Sequence, residues 1–83
     1  MTMKAYIFTP TGRKLTVLNV FQETTVEQVK FELRRSYGMR PEMYQLLTST
    51  ENQILSNDDQ LESLMASKYD DFVDMVLIFT HYF

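Results

Sequence analysis

The stretch Thr25–Gly38, which reads TVEQVKFELRRSYG, decides the fold because it is the one convincing long helix in the sequence. Five of its residues recur at helical spacing and should form a stripe that faces a core: Val26, Val29, Lys30, Leu33 and Tyr37. A helix of this length is marginal by itself in water, so it must pack on something. The rest of the chain should therefore supply a sheet beneath the stripe.

The two ends of this helix carry the signals expected of helix termini. Thr25 is a natural N-cap, and Arg34 and Arg35 put cations in the last turn, where they suit the helix dipole. Gly38 supplies a left-handed stop, and Pro41 prevents the helix from restarting. We therefore predict a helix that begins after Thr25 and ends before Gly38.

Composition predicts one small domain that covers residues 1–83. Hydrophobic residues make up 45% of the 83 residues, which argues against disorder, and the absence of cysteine excludes disulfides and thiol nucleophiles. The net charge of −3 argues against nucleic acid as a partner, and no apolar run is long enough to cross a membrane. No signal peptide is visible. We expect a domain of the cytoplasm, the nucleus or both.

The segment before the helix has the pattern of a β-hairpin. Its parts are a strand at Met3–Thr9, a turn at Pro10–Gly12 and a return strand at Lys14–Val20. In the return strand, side chains alternate between two faces, so Leu15 and Val17 should point to one face and Val20 to the other. If both halves of this strand face the core, a bulge near Leu18 and Asn19 must shift the phase.

The segment after the helix predicts the remaining elements. These are a turn at Met39–Glu42, a strand at Met43–Ser49, a very short edge strand at Ile54–Leu55, one helical turn at Leu61–Leu64, a loop at Lys68–Asp74 and a last strand at Asp74–Tyr82. The first strand should pair antiparallel with the second and parallel with the last, and a right-handed crossover should place the helix on one face. We therefore predict an α+β fold, with a mixed four- to five-stranded sheet packed on one α-helix.

Three stretches of this sequence resemble the ubiquitin family. The opening MKAYIFTPTGRKLTV resembles the family's M-x-I/V-x-V-x-T-x-T-G-K-x-x-x-L, and the last strand MVLIF resembles its L-x-L-V-L. The central TVEQVKFELRRSYGMRPEMYQLL is similar to T-I/V-x-x-V-K-x-x-I/L followed by G-I-P-P-x-x-Q-x-L-I/L. The resemblance covers nearly the whole chain and implies a ubiquitin-like β-grasp fold, an architecture that PB1 and Ras-binding domains share.

Two departures from the ubiquitin pattern bear on function. Family members that are conjugated end in a flexible Gly-Gly tail, whereas this sequence ends at Phe83 and has only two glycines, Gly12 and Gly38. We therefore expect a domain that is not conjugated to other proteins. We also expect it to be monomeric and to lie at the start of a larger protein. The loop from Ser63 to Asp74 is also longer than in ubiquitin, which could reshape the surface below the sheet.

The resemblance implies a partner-binding patch on the sheet face away from the helix. Matched position by position, the patch comprises Pro10, Leu47, Val76 and Ile78. The alternation of side chains along a strand supports this, since Val76 and Ile78 point away from the helix if their neighbours in the strand point toward it. Arg13 and Lys14 could frame the patch, but Gln45 stands where ubiquitin has a basic residue. A contiguous apolar surface often marks a partner site; the alternative is cover by the C-terminal tail, the long loop or a dimer mate.

Two residues of the helix need a separate explanation. Phe31 lies off the core stripe, so it could form a second contact with partners, with Arg34 beside it. The alternative is that Phe31 folds down on Phe21 or Tyr37.

Lys30 lies on or near the buried face of the helix. A buried lysine needs an acidic partner, for which Asp58 and Asp59 are the natural candidates. Modification of Lys30 is the functional alternative.

Catalysis has little support in the sequence. His81 is the only histidine, and it has no cysteine to activate and no identifiable serine setting. Gly12 and Gly38 cannot make a loop that cradles phosphate. We therefore expect a non-enzyme with no cofactor and no metal site, in which His81 is a surface residue.

The function implied by the resemblance is that of an adaptor in the ubiquitin–proteasome system. Its partners would be proteasome subunits, segregase-type ATPases or ubiquitin-binding domains. One alternative is a self-association module of the PB1 kind, in which a basic end (Lys4, Arg13 and Lys14) meets an acidic cluster of a neighbour (Asp70, Asp71 and Asp74). Another is a ubiquitin-like modifier that lacks its mature tail. The acidic cluster could instead be a solvated loop.

Overall fold

The computed structural model describes residues 2–67 and 69–80 of the chain. Its strands are β1 (Met3–Phe8), β2 (Lys14–Val20), β3 (Tyr44–Thr48) and β4 (Phe72–Phe79), and its helix is α1 (Val26–Tyr37). Two 3₁₀ helices cover Pro41–Met43 and Leu61–Leu64. In this described part of the chain, no helix is long and apolar enough to span a membrane.

The four strands form one mixed sheet in the order β2-β1-β4-β3. β1 is antiparallel to β2 and parallel to β4, and β3 is antiparallel to β4. These pairings confirm the predicted α+β fold with one helix and a mixed sheet, an arrangement compatible with a β-grasp. The predicted edge strand at Ile54–Leu55 is reduced to an isolated bridge between Ile54 and Leu47.

Local signals place both ends of α1 where the sequence predicts them. The Thr25 hydroxyl accepts the backbone N–H of Gln28, and the Gln28 side chain accepts the N–H of Thr25 in return, which forms a capping box. Gly38 adopts a left-handed conformation with φ 70° and donates its N–H to the carbonyl of Arg34. The helix is therefore fixed at both ends by its own sequence.

The core lies between α1 and one face of the sheet. Its fully buried large side chains are Ile7, Val26, Val29, Leu33, Leu46, Leu61, Met75 and Leu77. Three of the five predicted stripe residues are thus confirmed in the core. Lys30 is half-buried. The prediction is wrong for Tyr37, which is 56% exposed at the end of the helix, where its hydroxyl contacts Thr16 of β2.

The bulge in β2 lies at a different place from the one predicted. Pairing with β1 is unbroken from Val20 to Thr16, and the register shifts opposite Ile7 and Phe8, at Leu15. Leu18 and Val20 are buried, whereas Leu15 is 45% exposed. The predicted bulge near Leu18 and Asn19 is therefore wrong, because Leu18 and Val20 already point to the core without a change of phase between them.

The last strand begins earlier than the sequence predicts. β4 starts at Phe72 rather than Asp74, because Phe72 already pairs with Lys4 of β1. The predicted loop therefore ends before Phe72. The predicted end of the strand at Tyr82 and the predicted surface position of His81 lie outside the described residues.

Candidate functional site

The sheet face away from α1 has an apolar surface, which we call the open face. Its register brings together side chains from three strands: Tyr6, Phe8, Gln45, Leu47, Phe72, Asp74, Val76 and Ile78. These residues lie on one side because successive side chains alternate and their neighbours Ile7, Met75 and Leu77 are buried under the helix. The helix α1 lies on the other side of the sheet, over the buried residues.

Three of the four predicted patch residues meet at one end of the open face. Pro10, Val76 and Ile78 line a shallow concavity of about 620 Å³ together with Phe8. We call these four residues the Ile78 groove. Val76 and Ile78 are half-buried and Pro10 is exposed, so the groove offers apolar surface to a partner.

Leu47, the fourth predicted patch residue, is on the open face but contributes little accessible surface. It pairs with Val76 in the sheet and is only 7% exposed. Its antiparallel bridge to Ile54 sets that residue beside it, and Ile54 is 65% exposed. Ile54 therefore offers the accessible apolar side chain at this edge.

An aromatic cluster adjoins the Ile78 groove, and the patch expected from the sequence does not include it. The Tyr6 ring lies 6.4 Å from Phe8 and 6.2 Å from Phe72 between centroids, the latter in an edge-on arrangement. Lys14 Nζ lies 5.7 Å from the Tyr6 centroid. With Asp74, these residues line a second concavity of about 550 Å³, the Tyr6 groove. The alternation in MKAYIF was the available signal, since Tyr6 and Phe8 oppose the buried parity.

Asp74 stands between the two grooves and lines both of them. It is half-buried beside both apolar residues (Phe8, Val76 and Ile78) and polar ones (Thr9, Ser49 and Asn52), and within residues 2–67 and 69–80 its carboxylate accepts no hydrogen bond and joins no ion pair. Two members of the expected acidic cluster, Asp70 and Asp74, line one concavity together with Thr48, and Asp70 also accepts the backbone N–H of Ser67 at 3.1 Å. No group of three His, Cys, Asp or Glu residues within the described ranges could hold a metal ion.

Two of the three basic residues expected at one end of the molecule, Lys4 and Lys14, lie on the sheet face that carries Asp74. Lys4 pairs with Phe72 in the sheet and donates from Nζ to Asn19 Oδ1 at 2.6 Å. Lys14 lies over Tyr6, which itself pairs with Asp74. Positive and negative charges therefore share the open face rather than occupying opposite ends.

The possible secondary contact lies on the helix side of the molecule. Phe31 is 66% exposed and shares a concavity of about 470 Å³ with Phe21, which is 53% exposed. Arg34 is exposed, and its side chain forms no hydrogen bond or ion pair with the other described residues. Its neighbour Arg35 instead forms a two-point ion pair with Glu32, at 2.9 and 2.6 Å, and this hydrogen bonding lowers the pKa of the Glu32 carboxyl.

Lys30 has a neutral partner instead of the predicted carboxylate. Its ammonium donates to Asn57 Oδ1 at 2.8 Å. Asp59 is engaged elsewhere, since its carboxylate accepts the N–H of Ser56 at 2.9 Å. The predicted pairing with Asp58 or Asp59 is therefore wrong, because the loop presents the amide of Asn57 to Lys30.

The open face combines two largely apolar grooves with the carboxylate of Asp74 and the ammonium groups of Lys4 and Lys14. Such a surface can exclude water against an apolar partner and add charge pairing at its edge. A scan against models of known protein families finds no match to this chain, and a search of curated proteins finds none either.

Proposed function

We propose that this chain is a non-catalytic, ubiquitin-like interaction domain of β-grasp type that binds protein partners through the open face. The observation that carries the proposal is the Ile78 groove, where Pro10, Val76 and Ile78 meet on the side of the sheet that α1 does not cover. The spacing of the helix and its flanking strands, which is similar to that of ubiquitin, supports the same conclusion. The expected partners are proteasome subunits, segregase-type ATPases and ubiquitin-binding domains of the cytoplasm or nucleus.

Binding would be driven by burial of apolar surface. Each Å² of apolar area removed from water contributes about 25 cal/mol, and an amphipathic helix or a shallow groove of a partner can cover Phe8, Val76 and Ile78 at once. Ordering two surfaces offsets much of this gain, so we expect micromolar affinity, about −8 kcal/mol.

Leu47 has a supporting role in this proposal. Because only 7% of it is exposed, it packs beneath the surface that a partner would touch. Ile54 and Val76, its two neighbours in the sheet, would make the contact at that edge. Binding experiments should therefore alter Ile78 rather than Leu47, so that loss of binding is not confused with loss of fold.

The test is a titration of isotope-labelled protein followed by NMR. Three probes represent the expected partner classes: a single-helix ubiquitin-binding peptide, a proteasomal ubiquitin-receptor subunit and the N-terminal domain of a segregase-type ATPase. We expect at least one probe to shift the amide signals of Phe8, Val76 and Ile78. Ile78→Lys should weaken that binding more than about tenfold, since it puts a charge into an apolar contact.

Phe31→Lys is the matched control, because it also replaces an apolar residue by lysine, at an exposed position on the helix side. It should leave binding unchanged. If Phe31→Lys abolishes binding and Ile78→Lys does not, the helix side is the binding surface. If all three probes leave the spectrum unchanged, the proposed function is wrong.

A further inference from the structure

We propose that the open face also binds a second copy of this chain, in a two-fold symmetric pair held by reciprocal Lys14–Asp74 contacts. The proposal goes beyond binding to a foreign partner and can be tested with the chain alone. It also departs from the monomer expected from the sequence. Its basis is the position of the two charges on either side of β1.

The register of the sheet places Lys14 and Asp74 symmetrically about β1. Asp74 is the direct neighbour of Tyr6 on β4, and Lys14 belongs to β2 on the other side. Neighbouring strands are about 4.8 Å apart, so the two residues flank β1 at similar distances. Lys14 pairs with Phe8, but its ammonium lies 5.7 Å from the centroid of the ring of Tyr6, the residue that pairs with Asp74.

A half-turn about an axis along β1 exchanges the two flanks of that strand. When two open faces meet through this operation, the Lys14 ammonium of each copy lies across from the Asp74 carboxylate of the other. Both contacts form together, as an interface with two-fold symmetry requires. Tyr6 of each copy then meets its own counterpart on the axis, where aromatic rings can pack.

Lys4 is a charged residue that could oppose this arrangement, because it lies on β1 itself. Its ammonium is directed sideways to Asn19 Oδ1, at 2.6 Å, and so away from the axis. The same half-turn brings this ammonium across from Phe72 of the other copy, since Phe72 is the β4 neighbour of Lys4. A cation over an aromatic ring is a favourable contact, so Lys4 does not prevent pairing.

The charge on Asp74 explains why a second copy suits this face. Asp74 is half-buried and has no hydrogen bond or ion pair with the other described residues, so an ammonium group of a second copy would compensate for the hydration that its carboxylate loses. Face-to-face sheets pack about 10 Å apart, a spacing that the side chains of the Tyr6 groove can fill from both sides. The interface is small, so we expect weak, concentration-dependent pairing that would compete with a foreign partner.

The experiment measures self-association by sedimentation equilibrium for the wild type, Lys14→Asp and Asp74→Lys. Each single variant puts like charges at both contacts, so its dimer dissociation constant should rise more than about tenfold. An equimolar mixture of the two variants should regain a dimer near the wild-type strength, because only the mixed pair restores both contacts. Asp58→Lys makes the same charge change in an exposed loop beside the start of α1 and should have no effect.

The mixture separates contacts between chains from a pairing of Lys14 with Asp74 inside one chain. An internal pair would gain nothing from mixing, and that result would overturn the proposal. A wild-type chain that stays monomeric up to about 1 mM would overturn it as well. Circular dichroism would confirm that each variant is folded. Failure here leaves the NMR test of foreign partners unaffected, since that test contains no step that depends on self-association.

Discussion

The hydroxyl of Tyr37 lies 2.6 Å from the hydroxyl of Thr16, which joins the end of α1 to β2. A net contribution of about 0.5–1.5 kcal/mol is usual for such a hydrogen bond, and the exposure of Tyr37 favours the lower end. Tyr37→Phe should therefore lower the free energy of unfolding by about 0.5 kcal/mol. Urea unfolding of Tyr37→Phe, Thr16→Val and the double variant measures the coupling; strictly additive effects would show that the contact contributes nothing.

Tyr44→Phe should raise the free energy of unfolding, whereas Tyr37→Phe should lower it. Its ring is 3% exposed, and its hydroxyl has no hydrogen-bond partner among the described residues. An unsatisfied buried polar group costs about 1–3 kcal/mol, so Tyr44→Phe should raise the free energy of unfolding by about 1 kcal/mol. Tyr37→Phe is the control, because it removes a hydroxyl that is paired. A loss of stability in Tyr44→Phe would show that the hydroxyl has a partner in solution.

Tyr44 should also make the protein sensitive to alkali. Burial, helped by the negative charge of Glu42, raises the pKa of Tyr44 to about 12, compared with about 10 in an unfolded chain. The unfolded state therefore loses this proton first, and stability that is complete below about pH 10 declines as the pH rises toward 12. Unfolding measured across this window should show a smaller decline for Tyr44→Phe than for the wild type; equal declines would contradict the assignment.

Gly38 is the residue whose backbone ends α1. It has φ 70°, and a Cβ added there would meet no atom within 4 Å. The cost of Gly38→Ala is therefore conformational, about 1 kcal/mol, and Gly38→Asn should cost less because asparagine tolerates the left-handed region. Thermal unfolding of the two variants gives the order. Equal stability of the alanine variant and the wild type would mean that the helix end rearranges.

Leu47 and Ile54 are neighbours in the sheet but should differ in their effect on stability. Leu47→Ala removes a side chain that is 7% exposed and should cost about 2–3 kcal/mol. Ile54 is 65% exposed, so Ile54→Ala should cost less than about 1 kcal/mol. Urea midpoints of the two variants check this difference. Similar costs would indicate that Ile54 is buried in solution.

Features that depend on local sequence were predictable. Thr25 and Gly38 fixed the ends of the helix because a cap and a left-handed stop act within one turn. The hairpin and its antiparallel pairing followed from alternation around Gly12. The positions of Val76 and Ile78 on the open face also followed from the alternation of side chains along the last strand, because the helix was expected on the other side.

Features that depend on distant partners were not predictable. β4 begins at Phe72 because Lys4 is available to pair with it, and no signal in the loop itself reports this. Lys30 meets Asn57 because of the path of a loop that is remote in sequence. The low exposure of Leu47 likewise depends on the return of the chain at Ile54, which forms a single bridge and no strand.

The parallel pairing of β1 with β4 places the first and last described strands side by side in the middle of the sheet. On a translating ribosome, β1, β2 and α1 emerge long before the strand that completes their core. Ile7 and Leu33, both fully buried in the finished molecule, have no complete core until β4 has left the exit tunnel. The nascent chain must therefore fold late in synthesis, and until then its apolar segments are accessible to chaperones.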